Sequence, residues 1–315
     1  MISLAKRNEI TKREAISKKI RRCLKYKHLY LMIIPGVIIT FIFNYIPMYG
    51  ITIGFRNFQP NLGYFEGEWV GLKYLKQFFN DPYCFRLIRN TMLLNLYSII
   101  FGFPAPIIFA LLLNEVNFSP LKRFTQSISY LPHFISTVVI VGILMKLFAS
   151  DGIINQLLDS LGIKQQNFFG NPNWFRPLYV GSKIWQDTGY NAIIYLAALS
   201  GIEPHLYESA IIDGANRFKQ AIYITIPGIM PTAVVLLILS IGRLLNVGFE
   251  KVYLMYSPAI YEKADVISTY VYRRGIQGFD YSYATVIDFF NSVVALVLIT
   301  IANTVCRKVT EESLW

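Results

Sequence analysis

Two stripes of polar side chains interrupt long apolar runs of this chain. Lys183, Asp187 and Asn191 stand at i, i+4 and i+8, on one helix face, flanked by Trp185, Gln186 and Tyr190. Arg243, Asn246 and Glu250 stand at i, i+3 and i+7, on a second face. An ionised Arg inside an apolar run costs at least about 2.5 kcal/mol on insertion scales unless it faces a polar cavity or a partner. Together these residue types suit a carbohydrate: aromatic faces stack on the C–H faces of pyranose rings, while Asn, Gln and charged groups bond hydroxyls. A buried cation also calls for an anion. Asp187 lies one turn from Lys183, whereas Glu250 is two turns from Arg243, too far for direct contact. A uronate carboxylate could complete Arg243 with paired hydrogen bonds. The plainer alternative is that both stripes bind helices to one another, as Asn and Lys–Asp pairs do in membrane bundles.

The elements that must position these residues follow from composition. The chain has 315 residues, 54% hydrophobic, 15% aromatic and only 16% charged, with a formal net charge of +11. Its mean hydropathy is +0.42. Soluble domains carry about a quarter charged residues; here the deficit is gathered into apolar runs, which predicts an all-α polytopic membrane protein. About six transmembrane helices are expected, each near the twenty residues a bilayer requires. They run roughly over 29–53, 88–114, 128–148, 177–200, 229–247 and 284–306. No connection between them is long enough to bury a core of its own.

Residues 1–28 carry ten Lys and Arg from Lys6 to Lys27. A span follows at once, so this segment reads as a cytoplasmic anchor under the positive-inside rule rather than a nucleic-acid arm. An even number of spans then puts both termini, the loop 201–227 and the tail 307–315 in the cytoplasm. Residues 29–306 form the transmembrane domain. The connections on the other side are long and aromatic, with Trp69, Tyr74, Phe78, Phe79 and Tyr83 in one of them, as expected near a membrane–water interface.

Several chemistries have no support. The phosphate-cradling pattern G-x-x-x-x-G-K-[ST] does not occur, and neither does G-x-S-x-G. His28, His133 and His205 are isolated, without zinc-ligand spacing. On this topology Cys84 lies on the opposite side from Cys23 and Cys306, and an accessible loop there would let Cys84 react with an impermeant thiol reagent from outside. No enzyme, metal site or cofactor of the chain's own is predicted.

The polar interruption Tyr207–Pro227 has its own logic. Pro204 suits a first helical turn, Gly214 permits a sharp bend, and Asp213 is placed to cap the helix that follows. Phe218, Ala221, Ile222 and Thr225 then fall on one face at helical spacing. Pro227 is expected to stop that helix before the next span. The result is a small amphipathic wedge at the membrane surface.

Glu208-Ser209-Ala210, then Gly214, then Ile224, Ile226 and Pro227 resembles the EAA loop of ABC importer permeases, with Ser209 and Ile226 as small departures from the pattern. The resemblance implies that Glu208, Ser209, Ala210, Asp213, Gly214, Ala215, Phe218 and Pro227 couple the chain to an ATPase. Gly71-Leu72-Lys73-Tyr74-Leu75 through Asn90-Thr91, and Tyr130 to Ser136, are similar to segments of sugar-importer permeases. Asn44 to Gly50, and the ending Glu312-Ser313-Leu314-Trp315, resemble the branch for acidic or complex polysaccharide fragments, alginate or pectin among them. The family implies a type I importer fold, a second homologous permease, an ATPase dimer that binds ATP and Mg, an extracytoplasmic solute-binding protein and an oligosaccharide substrate in a lipid membrane. An ion-coupled secondary transporter using Asp187, Glu250 or Asp288 is the alternative. The loop spacing and the lack of an evident inverted repeat speak against it.

Overall fold

A computed structural model describes residues 25–63, 66–242 and 247–310, with side chains described to residue 308. Arg243, Asn246 and Cys23 therefore lie outside the described residues. Within them the chain is helical, with an isolated antiparallel bridge between Arg56 and Trp69. Four helical stretches are long and apolar enough to cross a membrane, or five if a bent pair counts as one span. The long helix α8, Pro172–Ser200, adds 29 residues, about 43 Å of helix at 1.5 Å per residue. Its polar stripe lowers its apolarity without shortening it.

The first span, Lys27–Phe55, begins as α1, Lys27–Thr40. It continues through a π-turn at Phe41–Tyr45 into a 3₁₀ stretch. The π-turn is followed by Ile46-Pro47, and a second one, Ala221–Thr225, by Ile226-Pro227. In each, the Ile amide donates five residues back, to Phe41 or Ala221. A proline ring clashes with the carbonyl four residues earlier; a widened turn ahead of it lets the helix continue. Pro227 therefore does not stop the helix as expected. Arg217–Gly242 is one stretch of 26 residues, made of α10 (Arg217–Gln220), the π-turn and α11 (Ile226–Gly242).

The third expected span is not straight. Helix α5, Ser119–Tyr130, and helix α6, Thr137–Leu147, meet at a bend of 100°. Pro132 is buried in a 3₁₀ turn, Ile135 is extended, and Ser136 restarts the helix by accepting the Val139 amide at 3.4 Å. Helix α5 crosses α8 at very short range. A side chain at Gly189 would run into the Ser129 carbonyl oxygen, so the crossing needs glycine there.

The end of the bundle remote from the loop 201–216 is fastened by buried polar groups. Helix α3, Cys84–Gly102, runs on through Phe103 into α4, Pro104–Asn114. Asn90 on α3 donates to the carbonyls of Glu262 (2.9 Å) and Asp265 (3.0 Å) and accepts from Arg176 of α8 at 2.9 Å. Thr91 accepts the Ile267 amide at 3.0 Å. Asp265, fully buried, is gripped by Arg273 at 2.7 and 3.3 Å, with Arg86 at 3.9 Å. Each buried charge here has its opposite, as burial demands. Cys84 is also buried, among Tyr74, Leu87 and Tyr283, so the access that labelling by an impermeant reagent requires is missing, and the reaction should be slow or absent. The last helix, α15, Tyr281–Thr310, closes the bundle against α11, and the first span leans on it where Gly54 meets Val286.

Candidate functional site

Midway along α8 the expected polar stripe borders an open cavity of about 490 Å³, within the range of small-molecule sites. Lys183, Asp187 and Asn191 line it, with Asn95 and Ser98 of α3 and Ser240 of α11 opposite. The wall is completed by apolar groups such as Phe103, Tyr195 and Leu236. The arrangement follows from periodicity: positions 183, 187, 191 and 194 recur on one face of α8.

Asp187 has a partner that the sequence did not suggest. Its Oδ1 lies 3.2 Å from Nδ1 of His133, at the corner between α5 and α6. His133 also stacks on Tyr190, with ring centres 4.0 Å apart and planes within 4°. The broken span thus brings an imidazole to a carboxylate 54 positions away in the chain, and no local spacing could have signalled it. Gln186 accepts from the Lys251 ammonium at 3.5 Å. Trp185, two residues from Lys183, is half exposed and is not among the residues lining the cavity.

Glu250 does not share a helix face with the fifth span. Val247 and Gly248 are not helical, and Gly248 starts a separate helix, α12, Phe249–Met255, with Glu250 exposed in its first turn. The expected stripe Arg243–Asn246–Glu250 is therefore interrupted, and its first two members lie outside the described residues. Lys251, next to Glu250 on the same helix, is only 6% exposed.

The second site is the loop at the other end. Helix α9, Pro204–Ile212, opens with Glu203 extended and Pro204 in the first turn. It closes on a Schellman turn: the Gly214 amide donates to Ile211 O at 3.0 Å and the Ala215 amide to Ala210 O at 2.8 Å. That geometry holds Gly214 at φ +76°, where any side chain is strained. Asp213 sits at the C-terminal end of α9, so it is not the cap of the next helix. That cap is Asn216, whose Oδ1 accepts the Lys219 amide at 2.9 Å. Glu208 is exposed, and Ser209 donates to the His205 carbonyl at 3.0 Å.

The widened turn at Ala221–Thr225 also splits the expected apolar face. Thr225 turns inward, 3.0 Å from the Tyr207 hydroxyl, while Phe218 stays outward. The loop nevertheless presents a large apolar surface: Ile212 is 86% exposed, Tyr223 75% and Phe218 73%, with Ile211 and Leu206 nearby in sequence. Leu206, Ile211 and Ile212 stand on helix α9, whereas Phe218 and Tyr223 belong to the apolar stretch Arg217–Gly242.

Residues 88–309 match the family model described as "Binding-protein-dependent transport system inner membrane component". The chain is 46% identical over 290 residues to Protein LplB of Bacillus subtilis (strain 168), covering 92% of this chain and 91% of that protein. It is 43% identical over 307 residues to the polygalacturonan/rhamnogalacturonan transport system permease protein YteP of the same organism, covering 97% and 96%. Among solved structures it resembles a chain of a bacterial ABC transporter involved in the import of the acidic polysaccharide alginate, with TM-score 0.85 and 42% identity over 92% of this chain and 98% of that one. A chain of the bacterial alginate ABC transporter in complex with an alginate pentasaccharide-bound periplasmic protein gives TM-score 0.86 at 40% identity, covering 93% and 99%. With the type I importer fold in hand, the chain belongs to the family of binding-protein-dependent transport system inner membrane components.

Proposed function

We propose that this protein is one permease subunit of an ATP-driven importer of acidic oligosaccharides, such as fragments of alginate or pectin. The observation that carries the coupling role is the outward apolar surface at Ile211, Ile212 and Phe218, on either side of the fixed corner at Gly214. Such a surface fits a cleft on an ATPase subunit, and Glu208, Ser209, Ala210, Asp213 and Ala215 frame it. The ATPase dimer supplies ATP and Mg; closing on ATP, it moves the loop, and α9 and α10 pass that movement to the spans on either side of them.

Half of the substrate path is contributed by Lys183, Asp187 and Asn191 with Asn95, Ser98 and His133, and the other half by a second, homologous permease. An extracytoplasmic binding protein delivers the oligosaccharide to the end of the bundle remote from the loop. This orientation puts both termini and the loop on the cytoplasmic side, with residues 1–28 and 307–315 as cytoplasmic ends of the transmembrane domain 29–306. Acidic cargo is supported by the alginate and polygalacturonan relatives and by the cations around the cavity. Arg243, with Asn246, belongs to the proposed path as a carboxylate-reading group. The test is uptake by the importer reconstituted with its ATPase and binding protein. ATP-dependent accumulation of a uronate oligosaccharide is expected; uptake driven by an ion gradient without ATP overturns the reading.

A further inference from the structure

Lys251 is a buried cation, only 6% exposed, that among the described residues has no carboxylate in contact with it. It makes one long hydrogen bond to Gln186 Oε1, at 3.5 Å, and faces Tyr179, 5.6 Å from the ring centre, while the charges of Asp187, attractive, and Lys183, repulsive, reach it from farther off. Compare Asp265 at the remote end, equally buried but held by two hydrogen bonds from Arg273. A buried charge is costly unless paired, and an apolar residue would pack more favourably in its place. A cation kept under these conditions points to an anion that comes and goes.

The surroundings say where that anion arrives. Gly248, one turn before Lys251 in the chain, and Asp187, the neighbour of Gln186, line the cavity, whereas Lys251 and Gln186 themselves do not. Glu250, next to Lys251 in the chain, is exposed, and Asp187, whose charge reaches Lys251 from beyond contact distance, already engages His133 at 3.2 Å. We infer that Lys251 is a charge-reading residue of the transport path, binding the carboxylate of a passing uronate through its ammonium as Gln186 swings aside. The inference rests on the function proposed above. Lysine suits the task better than arginine in the same place. It is a compact point charge on a flexible stem and can follow a moving ligand without locking it in a bidentate grip. A path must bind firmly enough to admit its cargo and weakly enough to release it.

The test uses the complete importer with its binding protein in liposomes. Two probes are compared, trigalacturonate and the same trisaccharide with one carboxyl reduced to the alcohol, each first titrated onto the binding protein. The reading is the ratio of their initial uptake rates. Lys251→Met is expected to lower the preference for the fully acidic probe about tenfold, the equivalent of one charge-assisted contact, and Lys251→Arg to keep most of it. Gln186→Glu is the second variant, because it supplies Lys251 with a permanent carboxylate and leaves no orphan charge; it should lose the preference as Lys251→Met does. An unchanged ratio in both variants, or an equal loss for both probes, overturns the inference and makes Lys251 a packing residue. A binding protein that refuses trigalacturonate, or wild-type uptake that ignores ATP, is a different result: it removes the acidic-importer reading and this inference with it.

Discussion

The two ends of the bundle are built on opposite principles. At the remote end, polar groups turn inward and find one another: Asn90 ties α3 to α8 and to the carbonyls at Glu262 and Asp265, and Arg273 closes on Asp265. At the loop end, apolar groups turn outward, and the ion pair there, Arg217 with Glu115 at 2.7 Å, is itself exposed. A buried pair punishes any displacement of its partners, whereas an exposed pair is worth little. The remote end is therefore a frame, and under the proposed function the loop end is the surface that an ATPase partner completes. The cavity lies between them, where a movement entering from the loop works against a fixed support.

Removing one buried charge breaks this contrast most severely. Asp265→Ala strands Arg273 and should cost about 3–5 kcal/mol, seen as a large fall in thermal stability and in the yield of folded protein from detergent. Gly189→Leu comes next, since it forces α5 from α8 at Ser129. Overpacking of about 1–3 kcal/mol should lower stability and reduce uptake together, and normal uptake would show that the crossing is looser than drawn. Asn216→Ala should cost about 1 kcal/mol of local helix stability and weaken coupling, whereas Asp213→Ala should leave that helix start intact. Equal effects of the two would remove Asn216 as the cap. Glu115→Ala is the mildest change, with a stability loss within about 1 kcal/mol. A loss approaching that of Asp265→Ala would erase the difference between the ends.

What was legible in the sequence divides along physical lines. Four or five of the six expected spans could be read because a bilayer needs about twenty apolar residues in a row, while α8 has a spanning length but a polar stripe that keeps it out of that set. The Gly214 corner was legible because few residues tolerate positive φ. The cap was misplaced because Asp213 and Asn216 both carry capping side chains, and the choice depends on where the Schellman turn ends. The π-turns ahead of Pro47 and Pro227 were hidden, since a proline in a helical pattern signals a stop unless the turn before it widens. His133 and Lys251 were missed for a common reason. Each acts through a contact far away in the chain, His133 with Asp187 and Lys251 with Gln186, 65 positions apart, and their local sequence gives no hint of burial or partner.

The central claim, that the loop carries ATPase movement to the cavity, is tested most directly by ATP hydrolysis of the reconstituted importer. The rate is measured with and without substrate-loaded binding protein, for wild type, Gly214→Val and Glu208→Lys. A β-branched residue at positive φ strains the corner by about 1–2 kcal/mol, too little to unfold the chain, and Glu208 is exposed. Both variants should assemble in the membrane at normal levels, and both should lose most of the stimulation by loaded binding protein and the accompanying uptake. Full stimulation in both variants would contradict the account and reduce the loop to a connection between spans.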